Sequence, residues 1–349
     1  MQKRLFVWGG VAVLAMSLFL AGCNNQKAPA LAIKDGITNL FKVSSYSLDG
    51  TVAADLKGPE GQAPAKMAFN LNAAFAFDGK DPNNLILNFK GDGGFDEDGN
   101  GGTGSFEVRL DKNTLYALIS KLATTGEVLL PKTMTDQYVA KWYKFPMPVD
   151  TMKSVADTLK NISNSVSGQD QSKMTPEEKK TKELFDQTAF FKNPVLAGTD
   201  TVKGEASSRY TTTLDKDALL NFLRQVSAIQ GSPVSDADYK DMQDSFSKFP
   251  DTSFDLWVGN SSATLNRVSV KLVLPGAATD PSGPITVDFS LGDFNKPVTV
   301  AVPADATDFS MTSLLDFVGG GDSVDLSETD LEQTEPVPAK TPVKTPVVK

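Results

Sequence analysis

The sequence predicts an α+β protein, with antiparallel strands toward both ends of the chain and helices between them. Two observations carry this. Apolar residues alternate with polar ones over long stretches, and in a β-strand alternation places all of them on one side. Between the two alternating regions the apolar spacing changes to three and four, the helical period. A single sheet with one apolar face has to bury that face, and the helices are what the chain offers to cover it.

The elements follow in order. Leu31, Ile33, Ile37, Leu40 and Phe41 recur at helical spacing and predict a short amphipathic helix. From Tyr46 the period is two: Tyr46, Leu48, Val52, Ala54 and Leu56 face one way, Ser47, Asp49, Thr51 and Asp55 the other. After a turn at 58–61, Met67, Phe69, Leu71, Ala73, Phe75 and Phe77 alternate with Asn70, Asn72 and Asp78, and Leu85, Leu87 and Phe89 continue the pattern. A Gly/Asp-rich stretch reads as a loop. Phe106, Val108 and Leu110 follow, opposed by Ser105, Glu107 and Arg109. A turn at 111–114 leads into a strand at Leu115–Ile119, and Tyr138–Phe145, holding Trp142 and Tyr143, is a further strand.

In the middle, Val149, Met152, Val155, Leu159, Ile162 and Val166 step by three and four. Thr175-Pro176-Glu177-Glu178 is a helix start, with Thr175 as N-cap, Pro176 at the first helical position and Glu178 closing a capping box. That helix is expected to reach about Phe190, so the helical middle spans about 149–193. Strand returns at Thr199–Leu214, followed by helices at Asp217–Ile229 and Asp236–Phe249. The last third alternates again: Phe254, Leu256 and Val258; Val268, Val270, Leu272 and Leu274; Ile285, Val287, Phe289 and Leu291; then Val298, Val300 and Val302. Met311–Val318 reads as a closing helix. The expected domain is 31–318, and the Gly-, acid- and Pro-rich 319–349 reads as a disordered tail.

The first 23 residues have a different character. Lys3 and Arg4 precede an apolar run from Leu5 to Leu20, which ends in Leu20-Ala21-Gly22-Cys23. This is the layout of a secretory signal. A transmembrane anchor needs roughly 20 apolar residues, usually with basic residues after it, whereas Asn24 and Asn25 follow here. The four residues Leu20 to Cys23 resemble a bacterial lipobox, in which the Cys thiol receives a diacylglycerol and the chain is cut just before it. Cys23 is the only cysteine in the chain. The expectation is a signal at 1–22, a lipidated linker at 23–30, and a protein held on the outer side of a membrane through Cys23. Which membrane is left open, and an ordinary signal with an incidental Cys is the alternative.

Composition excludes several functions. Hydrophobic residues make up 40% of the chain and charged residues 22%, ordinary values for a protein with a core. The net charge is −9 without Lys/Arg clusters, which argues against nucleic acid as a partner, because phosphate contacts need cations. There is no histidine, so Ser-His-Asp and Cys-His catalysis and most zinc sites are closed to it. No phosphate loop, nucleophile elbow or carboxylate pair in an apolar setting stands out, and no enzymatic activity is expected.

One acidic stretch has a sharper pattern. Asp96, Asp98, Asn100 and Gly101, followed after five residues by Glu107, match the spacing of a calcium loop, with the carbonyl of Gly102 at the seventh position. The flanks read as strands rather than the helices of an EF-hand, and position eight is Thr103 rather than an aliphatic residue. An acidic turn between strands is the alternative.

Several stretches carry a likeness to a known family: Trp142-Tyr143 followed by Lys144-Phe145-Pro146; 200–211, ending in Arg209-Tyr210-Thr211; Asp255-Leu256-Trp257-Val258-Gly259; Leu265-Asn266-Arg267-Val268; and 290–298. With the lipobox and the order of elements, the chain resembles the LolA-like fold and, within it, the LppX/LprG branch of exported lipoproteins. The resemblance implies a half-barrel, one curved antiparallel sheet with helices covering its concave side. It also implies acyl chains held between sheet and helices by a lipid carrier or an envelope sensor. The residues that would line such a cavity are Leu48, Val52, Phe69, Phe75, Phe77, Phe89, Val108, Trp142, Val270 and Phe289. The alternative is that they form a filled core, leaving a tethered interaction or sensor module without a small ligand and with an unnamed protein partner.

Overall fold

The computed structural model describes residues 28–58, 64–77, 85–126, 135, 138–168, 172, 174–275 and 282–309. The chain divides into two units, Met1–Asp308 and Phe309–Lys349, and the elements below belong to the first. The expected signal, Cys23, the closing helix at Met311–Val318 and the tail at 319–349 lie outside the described residues.

Among the described residues, five helices and twelve strands follow in order: α1 (Pro29–Leu40), β1 (Ser45–Leu56), β2 (Ala65–Ala76), β3 (Ile86–Glu97), β4 (Asn100–Asp111), β5 (Thr114–Thr125), β6 (Trp142–Pro146), α2 (Val149–Ser167), α3 (Pro176–Gln187), β7 (Phe191–Val202), β8 (Glu205–Leu214), α4 (Lys216–Ile229), α5 (Asp236–Ser247), β9 (Ser253–Gly259), β10 (Leu265–Pro275), β11 (Ser282–Gly292) and β12 (Thr307–Asp308). The strands form one sheet in the order β12-β6-β5-β4-β3-β2-β1-β11-β10-β9-β8-β7. Every pair is antiparallel except the short contact of β12 with β6. The fold class is therefore α+β, as the alternation predicts.

The helices stop and start where side chains satisfy their ends. Thr175 and Glu178 form the expected capping box on α3, with Pro176 in its first turn. Asp215 caps α4 through the amide of Ala218 at 3.0 Å, and Ser235 caps α5 through that of Asp238 at 3.1 Å. Gly168, at φ 61°, ends α2 in the left-handed conformation that glycine adopts most easily.

Two apolar clusters join the helices to one face of the sheet. The larger packs Ile33 and Ile37 of α1, Val166 of α2, Phe185 of α3 and Phe222 of α4 against Tyr210, Leu256, Val268 and Val270. Phe185, Phe190 and Phe222 stack on one another, with ring centroids 5.0–6.3 Å apart. The smaller packs Met152 and Leu159 of α2 against Phe75, Leu87, Leu110 and Leu115, at one end of β2–β5. Each buried aliphatic or aromatic side chain contributes about 1.5–3 kcal/mol, so these clusters are the main favourable term. α5 buries none of its residues.

The chain departs from the sequence reading in four places. The Gly/Asp-rich stretch after Phe89 is not a loop: β3 and β4 run through it and meet at a two-residue turn. The helical middle ends at Gln187, not about residue 193, and Phe191–Val202 is a strand of its own, paired with β8 through the turn at Lys203 and Gly204. Its alternation is broken by two register shifts, around Asn193-Pro194 and Ala197. The strand expected over Tyr138–Phe145 shrinks to Trp142–Pro146, with a single bridge at Val139. Val298, Val300 and Val302 are not in a strand. β11 already pairs with β10 on one side and β1 on the other, so no edge is open to a returning hairpin arm.

Candidate functional site

Register decides which predicted residues meet. Val52 faces Phe69 across β1–β2, Leu48 faces Ala73, and Phe89 faces both Ala73 and Val108. Leu48, Val52, Phe69, Phe75, Phe89 and Val108 therefore share the helix-bearing face. Phe75 and Phe77 belong to the cluster under α2. Val270 and Phe289 lie on the same face, both buried, Val270 in the large core.

Trp142 is a correction. It pairs with Leu118, which pairs with Glu107, so it lies on the opposite, polar face. There the guanidinium of Arg109 sits 4.3 Å above its ring. Tyr143, one residue on, is the one that faces the helices.

The helices cover this face unevenly. Over β8–β11 it is buried. Toward the far ends of β2–β4, beyond α2, large apolar side chains remain exposed: Met67 at 38%, Phe69 at 37%, Phe95 at 46% and Phe106 at 36%. Phe69, Phe95 and Phe106 each stand directly opposite a glycine, at Gly93, Gly102 and Gly91. A Cβ at Gly91 would come within 2.6 Å of the Phe106 ring, and one at Gly93 within 2.5 Å of Phe69. The rings thus occupy the space that side chains would fill on the neighbouring strand, and cover backbone that glycine would otherwise leave bare.

α2 forms the border of this open stretch. Its Met152 and Leu159 pack down onto the sheet. Lys160, Ser163 and Asn164 border a hollow at the strand ends, beside Phe77 and Ile86. At 3.6 residues per turn, Val155 and Ile162 fall on the other flank, toward the uncovered phenylalanines. Both are exposed. Apolar side chains thus flank the open stretch on the helix as well as on the sheet.

The polar face is a lattice of paired charges. Arg267 donates twice to Asp288, at 2.9 and 2.7 Å, and lies over Trp257. The hydrogen bonds that Arg267 donates to Asp288 raise its pKa further. Asn70 donates to Asp92 at 2.9 Å. Burial pushes Asp49 up, but hydrogen bonds from Lys203 and Asn72 outweigh it and hold its carboxyl below the ordinary range. An open hollow of about 520 Å³ on this face is bordered by Asp49, Asn70, Asp92 and Asp288, all of them paired.

The acidic stretch does not form a calcium loop. Asp98 and Gly99 are the two turn residues of a tight hairpin, at φ 53° and 80°, while Asp96 pairs with Gly101 and Phe95 with Gly102. Glu107 lies opposite Lys90, six ladder positions from the Asp96 pair, or roughly 20 Å at strand rise. Its carboxylate instead bridges Arg109 at 2.7 Å and Lys90 at 3.4 Å. Asp96, Asp98, Asn100, Gly102 and Glu107 cannot converge on one ion. Among the described residues no group of three His, Cys, Asp or Glu is placed to hold a metal.

No family model matches the chain, and no curated protein matches it in sequence. Solved structures do show a likeness to it. The lipoprotein LppX of Mycobacterium tuberculosis is similar at a TM-score of 0.33 and 11% identity, over 79% of this chain and 100% of that one. LprF from Mycobacterium bovis is similar at 0.33 and 14% identity, over 76% and 93%. The MucA/MucB complex of Pseudomonas aeruginosa contains a chain similar at 0.25 and 11% identity, over 80% and 59%. Nothing about a ligand follows from these likenesses.

Proposed function

We propose that the protein is a lipoprotein tethered to a membrane through Cys23, and that it binds the apolar part of an amphiphile on the uncovered end of its helix-bearing face. The observation that carries the reading is the contiguous exposure of Met67, Phe69, Phe95 and Phe106 on the sheet face that elsewhere carries the large buried core. Contiguous apolar surface of this kind marks a binding site more often than a scattered exposed side chain does. Val155 and Ile162 add apolar surface on the helical side. An acyl chain laid along the stretch would remove both surfaces from water, at about 25 cal/mol per Å². The anchor at Cys23 would hold the site within reach of its source, the bilayer.

Native mass spectrometry of the full-length protein extracted from membranes tests this. A lipid adduct is expected that is lost under denaturing conditions, in addition to the covalent diacylglycerol on Cys23. The adduct should fall at least tenfold in Phe69→Asp and Phe106→Asp. Wild-type protein carrying only the covalent lipid would overturn the reading.

A further inference from the structure

We infer that Met67 is an oxidation switch on the apolar stretch, an inference that rests on the amphiphile reading of this face. A hydroperoxide converts its thioether to the sulfoxide, and the stretch then holds an apolar chain more weakly.

Exposure is the first argument. Of the methionines among the described residues, Met67 alone is exposed. Met152 and Met174 are buried, and Met147 and Met242 are half-buried. A dissolved peroxide therefore reaches the Met67 sulfur without any opening of the fold, whereas the buried sulfurs are shielded by their neighbours. Met152 lies in the cluster under α2, with Met147 packed against it. Met67 belongs to neither apolar cluster, so a change at its sulfur leaves both of them intact. Oxidation there acts on the surface and not on the core.

Position is the second argument. Met67 stands opposite Phe95 on β3 and Ala54 on β1, and two residues before Phe69 on the same face. Directly opposed side chains start about 5 Å apart at Cβ. The flexible thioether is thus within reach of the Phe95 ring, a favourable neighbour for sulfur. The chemistry is a two-electron oxygen transfer. A sulfur lone pair attacks one oxygen of the hydroperoxide, an S–O bond forms and the O–O bond breaks. The other oxygen takes up the proton and leaves as water or an alcohol, so the sulfur is oxidised and the peroxide reduced. The product is polar where the thioether was apolar. An acyl chain laid over Phe69 and Phe95 would have to strip water from the new S–O group, and its methylenes offer no donor in return.

Hydrogen peroxide treatment of the full-length protein in neutral-detergent micelles tests this, with monododecanoylglycerol as the binding probe and peptide mass mapping to place each added oxygen. Met67 should take up oxygen ahead of Met147, Met152, Met174 and Met242. Wild type oxidised at Met67 should bind the probe about fivefold more weakly than untreated protein, or weaker still. Met67→Leu should match untreated wild type and keep its affinity after peroxide, while Met67→Gln should bind weakly without any peroxide. Oxygen uptake at another of these methionines as fast as at Met67 would overturn the switch. So would affinity within about twofold of untreated protein once Met67 is oxidised, or an equal loss in peroxide-treated Met67→Leu. Probe binding by untreated wild type that Phe106→Asp abolishes upholds the amphiphile reading whatever Met67 does. Failure of untreated wild type to bind the probe would overturn that reading and the switch together.

Discussion

The ring of Phe106 lies over Gly91, its direct partner across the β3–β4 ladder, and a Cβ on Gly91 would sit 2.6 Å from it. Phe289 stands in the same relation to Gly50, where a Cβ would come within 2.1 Å of the ring. The two pairs differ in what surrounds them. Phe106 is more than one third exposed and can swing outward, while Phe289 is 5% exposed and confined. Gly91→Ala should therefore cost about 1 kcal/mol and Gly50→Ala about 3 kcal/mol, the two ends of the range for overpacking. Urea denaturation of both variants measures the difference. Equal losses would mean that the burial of Phe289 does not restrict its ring.

The same glycines explain what the sequence could and could not tell. Strands with strict alternation, such as Val268, Val270 and Leu272 or Ile285, Val287 and Phe289, are legible because every second residue is apolar and the sheet uses each one. Gly91, Gly93, Gly102 and Gly104 fall on the same face but carry no side chain to mark it, and glycine by itself reads as a loop. The apolar surface there comes from Phe69, Phe95 and Phe106 on the partner strands. That is a property of the pairing and not of any one stretch. Trp142 was placed on the wrong face for a related reason: Trp142, Tyr143 and Phe145 are all aromatic, so composition alone does not show which of them points inward.

At the β3–β4 turn the prediction concerns calcium. The tight turn at Asp98 and Gly99 keeps the carboxylates of Asp96 and Glu107 apart, so no ligand set forms around an ion. Calcium and chelator should give the same melting temperature, for wild type and for Asp98→Ala. Glu107→Ala, by contrast, should lower stability by about 2 kcal/mol. It leaves Arg109, whose side chain is only 18% exposed, without its carboxylate. A calcium-dependent rise in wild-type melting temperature that Asp98→Ala abolishes would restore the ion site.

Acid should act through particular carboxylates. Hydrogen bonds from Lys296 and Ser47 hold Asp293 below the ordinary range, and those from Lys203 and Asn72 do so for Asp49 against the effect of burial. A carboxyl whose folded pKa is depressed contributes its stability in full above the unfolded value, about 3.9. That contribution is lost as pH falls through the lower, folded value. The chain has no histidine, so no side chain with an ordinary pKa near neutrality titrates between pH 5 and 7. The urea midpoint should hold steady over that range and decline below about pH 4. Asp49→Asn should start lower at pH 7 and converge on wild type by about pH 2.5. Parallel curves would show that Asp49 contributes nothing linked to its charge.

The last prediction concerns the anchor. α1 begins at Pro29, with Ile33 and Ile37 buried in the large core. Residues 24–28, if fully extended, would reach roughly 17 Å, which would keep the body that begins with α1 beside the bilayer. Cys23→Ser removes the thiol that would take the diacylglycerol. The variant should keep the wild-type melting temperature, lose the covalent lipid mass and either leave the membrane fraction or retain its signal. Fractionation, with intact-mass measurement of each fraction, distinguishes these outcomes from the alternative. A Cys23→Ser protein with a cleaved N-terminus that stays on the membrane would show that something other than Cys23 holds it there.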